Sequence, residues 1–386
     1  MIPASAETEN YRNESKLMRV LIIGAGILGA SAAYHLARKG VDVEIVDEEH
    51  QGKATLAGAG IVSPWATAVE QPDWYGLYAA GARYYAELIS GLTALGETNV
   101  GYGKVGALVV AGEKSTLDEA EARIHRRIKD APEAGDVRRI SPAEARELFP
   151  PLREGMEAVY IPGGARVDAR LLSAAMVRAA VAMGAKARND HVTLQLEDGR
   201  AVCINSNGAR IEADEIIVTA GAWAAQILNP LGLSHPVAPQ KGQIVHLRLP
   251  GAATGKWPCL LPMSSHYMLA FDDSRVVIGA TRENGAGFDY RVTAAGEHEV
   301  LSAGLALAPG LASATHIETR IGFRPASRDI KPILGRVPGI SGLTVGNGLG
   351  AAGLTIGPFA GKCLAELVAD GAAPVALDAF APEGRA

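Results

Sequence analysis

Near the start of the chain, Gly24-Ala25-Gly26-Ile27-Leu28-Gly29 has the residue types and spacing of a phosphate cradle. The run before it, Val20–Ile23, is short, apolar and rich in β-branched residues, as a buried strand requires. Behind it, Ala30–Lys39 carries Ala33, Leu36 and Ala37 on one helical face before Gly40 stops it. In that setting Gly24 permits a tight turn, Gly26 lets a pyrophosphate approach the backbone, and Gly29 allows the helix to pack against the strand. The helix N-terminus adds amide donors and positive potential. A second strand, Val41–Val46, ends on Asp47, 18 residues past Gly29, where a carboxylate can accept from ribose hydroxyls. Strand, loop, helix, strand and acid in register predict a dinucleotide site.

The elements that must hold this loop are spread along the chain. Helices are predicted at 74–92, Ala169–Met183 and Gly296–Ala308, and a hairpin at Val192–Leu196 and Ala201–Asn205 turns about Glu197-Asp198-Gly199-Arg200. Gly106–Ala111, Ala158–Ile161 and Ile216–Thr219 read as strands, the last running into Ala220-Gly221. Gln243–Leu249, His266–Ala270 and Arg275–Gly279 alternate like antiparallel strands. A last strand, Gly342–Val345, precedes a second glycine-rich loop and a helix to Asp370. The expected fold is α/β with two domains (α+β): a Rossmann-like dinucleotide domain from 18–98, 158–233 and 320–386, and an antiparallel-sheet substrate domain from 99–157 and 234–319. Residues 1–17 are polar and read as a disordered extension.

Several segments resemble the family of FAD-dependent D-amino-acid oxidases and dehydrogenases, whose members include glycine oxidase and bacterial D-amino-acid dehydrogenase. IIVTAGAW (Ile216–Trp223) resembles the strand-and-glycine segment of glutathione-reductase-type FAD folds. PQKGQ (Pro239–Gln243), VVIGAT (Val276–Thr281), IGFRPASRDIKPILGR and GLTVGNGLGAAGLTIGPFAG resemble the oxidase family itself, and the likeness runs from Met18 to about Gly371. The resemblance implies bound FAD. Ile27 and Leu28 would face the pyrophosphate, and Asp47 with Glu48 the adenosine ribose. Ala54, Thr55, Ala59, Gly60 and Ile61 would run along the pyrophosphate and isoalloxazine, Val192 would meet the adenine, and Ala220, Gly221 and Trp223 would complete the cofactor wall. The loop Leu349-Gly350-Ala351-Ala352-Gly353-Leu354-Thr355 would lie beneath the pyrimidine ring. A helix N-terminus there suits a reduced flavin, which carries negative charge.

The resemblance also implies the substrate contacts. Arg324, in IGFRP, would clamp a substrate carboxylate with its planar two-pronged guanidinium, and Tyr267 would bond the carboxylate or amine through its hydroxyl. The expected reaction is oxidation of the C–N bond of an amino acid or related secondary amine, like that of a D-amino-acid dehydrogenase. Hydride would pass to the flavin, leaving an imino acid that hydrolyses to a 2-oxo acid. The chain departs from its relatives at Ala351, where glycine oxidase has an arginine, and at Leu349, where the dehydrogenases have a histidine. No cysteine stands near Gly322, where sarcosine oxidase attaches flavin, so FAD is expected to be non-covalent. Val277 stands about where that enzyme has an oxygen-activating lysine, which favours a quinone or other acceptor over oxygen.

Composition excludes other classes. The chain has 386 residues, 48% hydrophobic and 20% charged, with a net charge of −5, unlike the basic footprint of a nucleic-acid binder. Cys203, Cys259 and Cys363 form no CxxC and the histidines no HxxxH, so neither a disulfide framework nor a metal site is expected. No GxSxG elbow supports hydrolase chemistry. Glu113–Arg146 reads as a solvated helical face, and Lys241 and His246 as solvated or structural. The long uncharged run Val337–Gly361 contains eight glycines and two prolines, which argues against a membrane span. A cytoplasmic enzyme is expected. Peripheral membrane association, oligomerisation and membership of a heteromeric opine- or sarcosine-type oxidase stay open, as does a 2-hydroxy acid substrate.

Overall fold

The computed structural model describes residues 17–264 and 266–382. The expected disordered extension therefore lies outside the described residues except for Leu17.

The first strand, β1 (Arg19–Ile23), shows why a parallel sheet forms. Every residue from Val20 to Ile23 is buried, and alternate side chains enter two different cores. Val20 and Ile22 pack under α1 (Ile27–Arg38), whereas Leu21 and Ile23 pack against the hairpin side with Val192, Leu194 and Cys203. The second strand, β2 (Asp42–Asp47), runs parallel to β1. The full sheet has six strands in the order Ile333–Arg336, Leu343–Asn347, Glu215–Val218, β1, β2, Lys186–Asn189. All pair in parallel except the first two. One face is covered by α1, Ala169–Ala182 and Gly353–Asp370, the other by the small sheet of Val192–Glu197, Arg200–Asn205 and Arg210–Ile211.

Close backbone approach makes Gly29 obligatory. A Cβ there would collide with the Gly24 carbonyl and the Thr219 hydroxyl, so any larger residue would lift α1 off the sheet.

Gly350–Asp370 is, among the described residues, the one stretch long and apolar enough to cross a bilayer. In the fold it is a core element, with Ile356, Ala360, Cys363 and Leu364 buried in the cluster around α1.

The second sheet has eight strands in the order Thr315–Ser327, Val237–Arg248, Arg275–Gly279, Tyr267–Ala270, Cys259–Pro262, Ala107–Val110, Ala158–Ile161, Arg138–Ile140. Two expected boundaries move. Ala158–Ile161 was placed with the dinucleotide domain but pairs with Ala107–Val110 in this second sheet. Residues 320–327 also belong to it, because the 13-residue strand Thr315–Ser327 pairs along Val237–Arg248. The expected strand at 243–249 begins at Val237, since its partner extends the ladder in that direction.

One side chain departs from the expected solvated face. Within the charged 113–146 stretch, the helix Lys114–Arg127 turns Arg127 inward to Tyr75 and to the carbonyls of Trp65, Thr67 and Val69. Of the two roles open for Lys241 and His246, solvated or structural, burial favours the structural one for both.

His246 sits at a register shift in its strand, and among the described residues neither ring nitrogen has a hydrogen-bond partner. Burial pushes its pKa down to about 3, with help from Arg320, Arg275 and Arg170 and against the pull of Glu318. The unfolded chain protonates this ring below about 6.5 while the native chain holds it neutral. The unfolded state therefore binds more protons as pH falls, and stability declines from about pH 6.5 towards pH 3. Melting temperature is expected to drop in this window. His246→Leu should flatten part of that slope, and an unchanged slope in the variant would exclude His246 as its source.

Candidate functional site

The C-terminal ends of the parallel strands open into one cavity of about 810 Å³ that continues under the eight-stranded sheet. This lies in the size range of small-molecule and cofactor sites. Every residue predicted to contact cofactor or substrate lines it except Ala25 and Gly29. Those two act from behind: Gly29 seats the helix, and the Ala25 amide donates to Asp47 Oδ1 at 3.0 Å.

At the β1–α1 end the turn at Gly24 takes φ = +102°, a conformation glycine tolerates. The Ile27 amide donates to Thr55 Oγ1 at 3.0 Å, so one donor expected to face a pyrophosphate already has a partner. Asp47 pairs through its other oxygen with Lys53. Glu48 bonds His191 at 2.9 Å, next to Val192. His50 stacks on Trp223 with ring centroids 4.4 Å apart, and Phe288 stacks on the same indole at 4.9 Å. Phe288 comes from the segment after Arg275–Gly279, so an aromatic stack joins the two sheets over the cavity.

The second glycine loop forms the opposite wall. Gly350–Ala352 is a tight helical turn leading into Gly353–Asp370, whose first residues line the cavity. The loop is fixed by Tyr85, whose hydroxyl donates to the Leu354 carbonyl, and by Thr355 Oγ1, which donates to the Ile61 carbonyl at 2.8 Å. Asn347, fully buried, donates to the Gly221 carbonyl and bonds His235, tying the two strand ends together.

Beside this wall stands Arg324. Its guanidinium lies flat across Gly242, where a Cβ would be 2.6 Å from Nη1 and 2.8 Å from Cζ. Its Nη1 donates to the Thr281 carbonyl at 3.0 Å, and among the described residues it has no ion pair. Tyr267 lies alongside, its ring packed over Gly279.

Sequence reasoning missed Lys53, His50, Asn347 and Arg282, all of which line the cavity. Arg282 stands one residue beyond the VVIGAT motif and Asn347 within GLTVGNGLG, whereas His50 and Lys53 carried no local signal. Val277, read as an oxygen-lysine position, does not line the cavity but packs behind residues that do, such as Ile244 and Tyr267. It is 1% exposed in the core with Ile244 and Leu269. None of the three cysteines lines the cavity.

A glycine cradle, an acid at the end of β2, two helix N-termini on one cavity and two arginines define an FAD-type oxidoreductase site. The donor set fits the group: α1 and the Gly353–Asp370 helix present positive ends, and the glycines leave room for close approach. The chain belongs to the FAD-dependent oxidoreductase (DAO) family, whose model matches residues 19–367. It is similar to the crystal structure of iminodiacetate oxidase from Chelativorans sp. BNC1, at 68% identity and a TM-score of 0.93, covering 94% of this chain and 99% of that one. It is 48% identical to the oxidoreductase YurR of Bacillus subtilis (94% and 98% covered). It is 31% identical to glycine oxidase of Pseudomonas aeruginosa (95% and 99% covered). The protein is an FAD-dependent oxidoreductase.

Asp47→Ala removes the acceptor of the Ala25 amide and the partner of Lys53. Hydrogen bonds to a charged group are worth about 1.5–3 kcal/mol, so FAD affinity is expected to fall by roughly tenfold to a hundredfold. Fluorescence titration of the apoprotein with FAD measures this. Undiminished affinity in the variant would remove Asp47 from the cofactor site.

Proposed function

We propose that this protein oxidises the C–N bond of a secondary amine bearing an N-carboxymethyl arm, the class to which iminodiacetate belongs. One observation carries the reading. Arg324 and Arg282 both line the cavity, and neither has an ion pair among the described residues. The lining carboxylates, Asp47, Glu48 and Asp190, cluster at the β1–α1 end, where Asp190 and Asp47 are joined through the backbone. The substrate end thus carries uncompensated positive charge, which suits an anionic ligand. The likeness to iminodiacetate oxidase supports the amine class.

Arg324 holds the substrate carboxylate in a two-pronged geometry that fixes the adjacent carbon. Arg282, more exposed, meets a carboxylate nearer the mouth. Tyr267 offers a hydroxyl to the carboxylate or the amine. Bound FAD supplies the acceptor for the two electrons and the hydrogen that leave the carbon next to nitrogen. The C–H bond breaks, a C=N bond forms, and water hydrolyses the imine to a 2-oxo acid and a shorter amine. Aromatic residues Trp74, Tyr78 and Trp223 give the cavity apolar walls that limit water. FAD is held without a covalent bond in this reading, in keeping with the absence of cysteine from the cavity.

Anaerobic mixing with a panel of amines, D- and L-amino acids and hydroxy acids tests the proposal. Bleaching of the flavin should be fastest with iminodiacetate and N-alkyl glycines. Faster bleaching by a primary amino acid or a hydroxy acid would overturn it. Arg324→Ala should lower kcat/KM for the free acid by about 2–5 kcal/mol of transition-state binding, and the methyl ester should lose far less. Acid precipitation should leave a colourless pellet; a yellow one would mean covalent flavin.

A further inference from the structure

We infer that Lys241 is a positioning residue for the substrate-binding arginines, acting through an ion pair to Glu283 and a hydrogen-bond relay from there that ends at the Arg324 guanidinium. The inference rests on the reading that Arg324 binds a carboxylate. It concerns the KGQ part of the PQKGQ motif, whose lysine the proposed chemistry leaves without a task.

Lys241 is 1% exposed, an unusual state for a lysine. Its Nζ donates to the Arg291 carbonyl at 2.8 Å and faces two carboxylates, Glu283 Oε2 at 3.6 Å and Asp289 Oδ2 at 3.8 Å. All three partners belong to the segment between Arg275–Gly279 and the helix Ala294–Leu307, which also carries Thr281 and Arg282. The lysine therefore pins the segment that presents one arginine and supplies the carbonyl holding the other.

The relay can be followed atom by atom. Glu283 Oε1 accepts from Thr281 Oγ1 at 2.7 Å and from Gln243 Nε2 at 2.7 Å. Thr281 Oγ1 accepts in turn from the Gln243 amide at 2.9 Å. Gln243 closes the far side, donating to Thr293 Oγ1 at 2.8 Å and accepting from the Thr293 amide at 3.0 Å. The Thr281 amide donates to the Gln243 carbonyl at 3.3 Å, and two residues on, Glu283 and Lys241 exchange both backbone bonds, at 2.9 and 3.1 Å. The Thr281 carbonyl, held between these anchors, receives Arg324 Nη1 at 3.0 Å. Burial alone would raise the Glu283 pKa, but the Gln243 and Thr281 bonds and the Lys241 charge outweigh it and hold it below the ordinary carboxylate range.

Gly242, between Lys241 and Gln243, leaves the floor on which the guanidinium rests. Three consecutive residues thus hold Arg324 from below and from the side. A lysine that only stabilised the fold would not require its carboxylate partner to be bonded to the threonine that orients the arginine. Misplacing a binding group by about 1 Å can cost on the order of a hundredfold.

The test uses the FAD-loaded enzyme and acetate as a carboxylate probe, its dissociation constant read from the flavin absorbance change. Lys241→Met is expected to weaken acetate about tenfold or more and to narrow the preference for free acid over methyl ester. Lys241→Arg, which retains a cation, should recover part of the loss. Should Lys241→Met fail to fold, Glu283→Gln, which weakens the lysine's link to Thr281, carries the same expectation. Arg324→Ala is the reference. If it loses acetate while a folded, FAD-loaded Lys241→Met or Glu283→Gln keeps wild-type affinity and acid-over-ester preference, the relay is refuted and the arginine stands. If Arg324→Ala itself binds acetate normally, the carboxylate reading fails and the inference falls with it. A lowered melting temperature with unchanged acetate affinity marks Lys241 as structural only, and also refutes the relay.

Discussion

The site depends on the antiparallel pairing of Val237–Arg248 with Thr315–Ser327. This ladder puts Arg324 opposite Gln240 and Gly322 opposite Gly242, so an arginine and the glycine it lies across belong to adjacent strands in one register. The same strand reaches the parallel sheet at several points. The Phe323 amide donates to the Gly52 carbonyl at 2.8 Å, Ala326 bridges Leu349, and Gly322 packs against Ala57. A slip of one residue would turn Arg324 to the opposite face and separate the two sheets at their joint.

Charge is arranged around that joint with similar economy. Acids gather at the β1–α1 end of the cavity, with Lys53 balancing Asp47, and are absent from the Arg324 end of its lining. A resident carboxylate beside Arg324 would compete with an anionic substrate. The protein instead holds the guanidinium with a backbone carbonyl, which orients it without neutralising it. The carboxylates that do stand near, Glu283 and Asp289, are drawn to Lys241 on the other side of the strand. Binding energy is thereby reserved for the ligand.

Apolar packing explains why two differently built sheets can share one cavity. The parallel sheet is buried on both faces and needs helices and a small sheet to cover it. The eight-stranded sheet has its own clusters on its two faces, Ala107 and Val109 facing one and Leu108 and Val110 the other. What joins them over the cavity is a group of aromatic rings around Trp223 and Phe323.

The sequence alone determined the elements whose signals are local. The strand, glycine loop, helix and acid of residues 20–47 could be read because each step is a residue-by-residue steric or hydrogen-bonding requirement. The second glycine loop was legible for the same reason, and Arg324 through the motif around it. Tertiary structure decided what depends on partners distant in the chain. Thr315–Ser327 reads as polar and exposed over its first four residues, so no alternation marked it as a strand; the ladder with Val237–Arg248 makes it one. Ala158–Ile161 was recognisable as a strand, but only its pairing assigned it to a sheet. For Lys241 and His246 the sequence left solvated and structural roles open, because charge and polarity are local properties, whereas burial is set by what the rest of the chain brings against them.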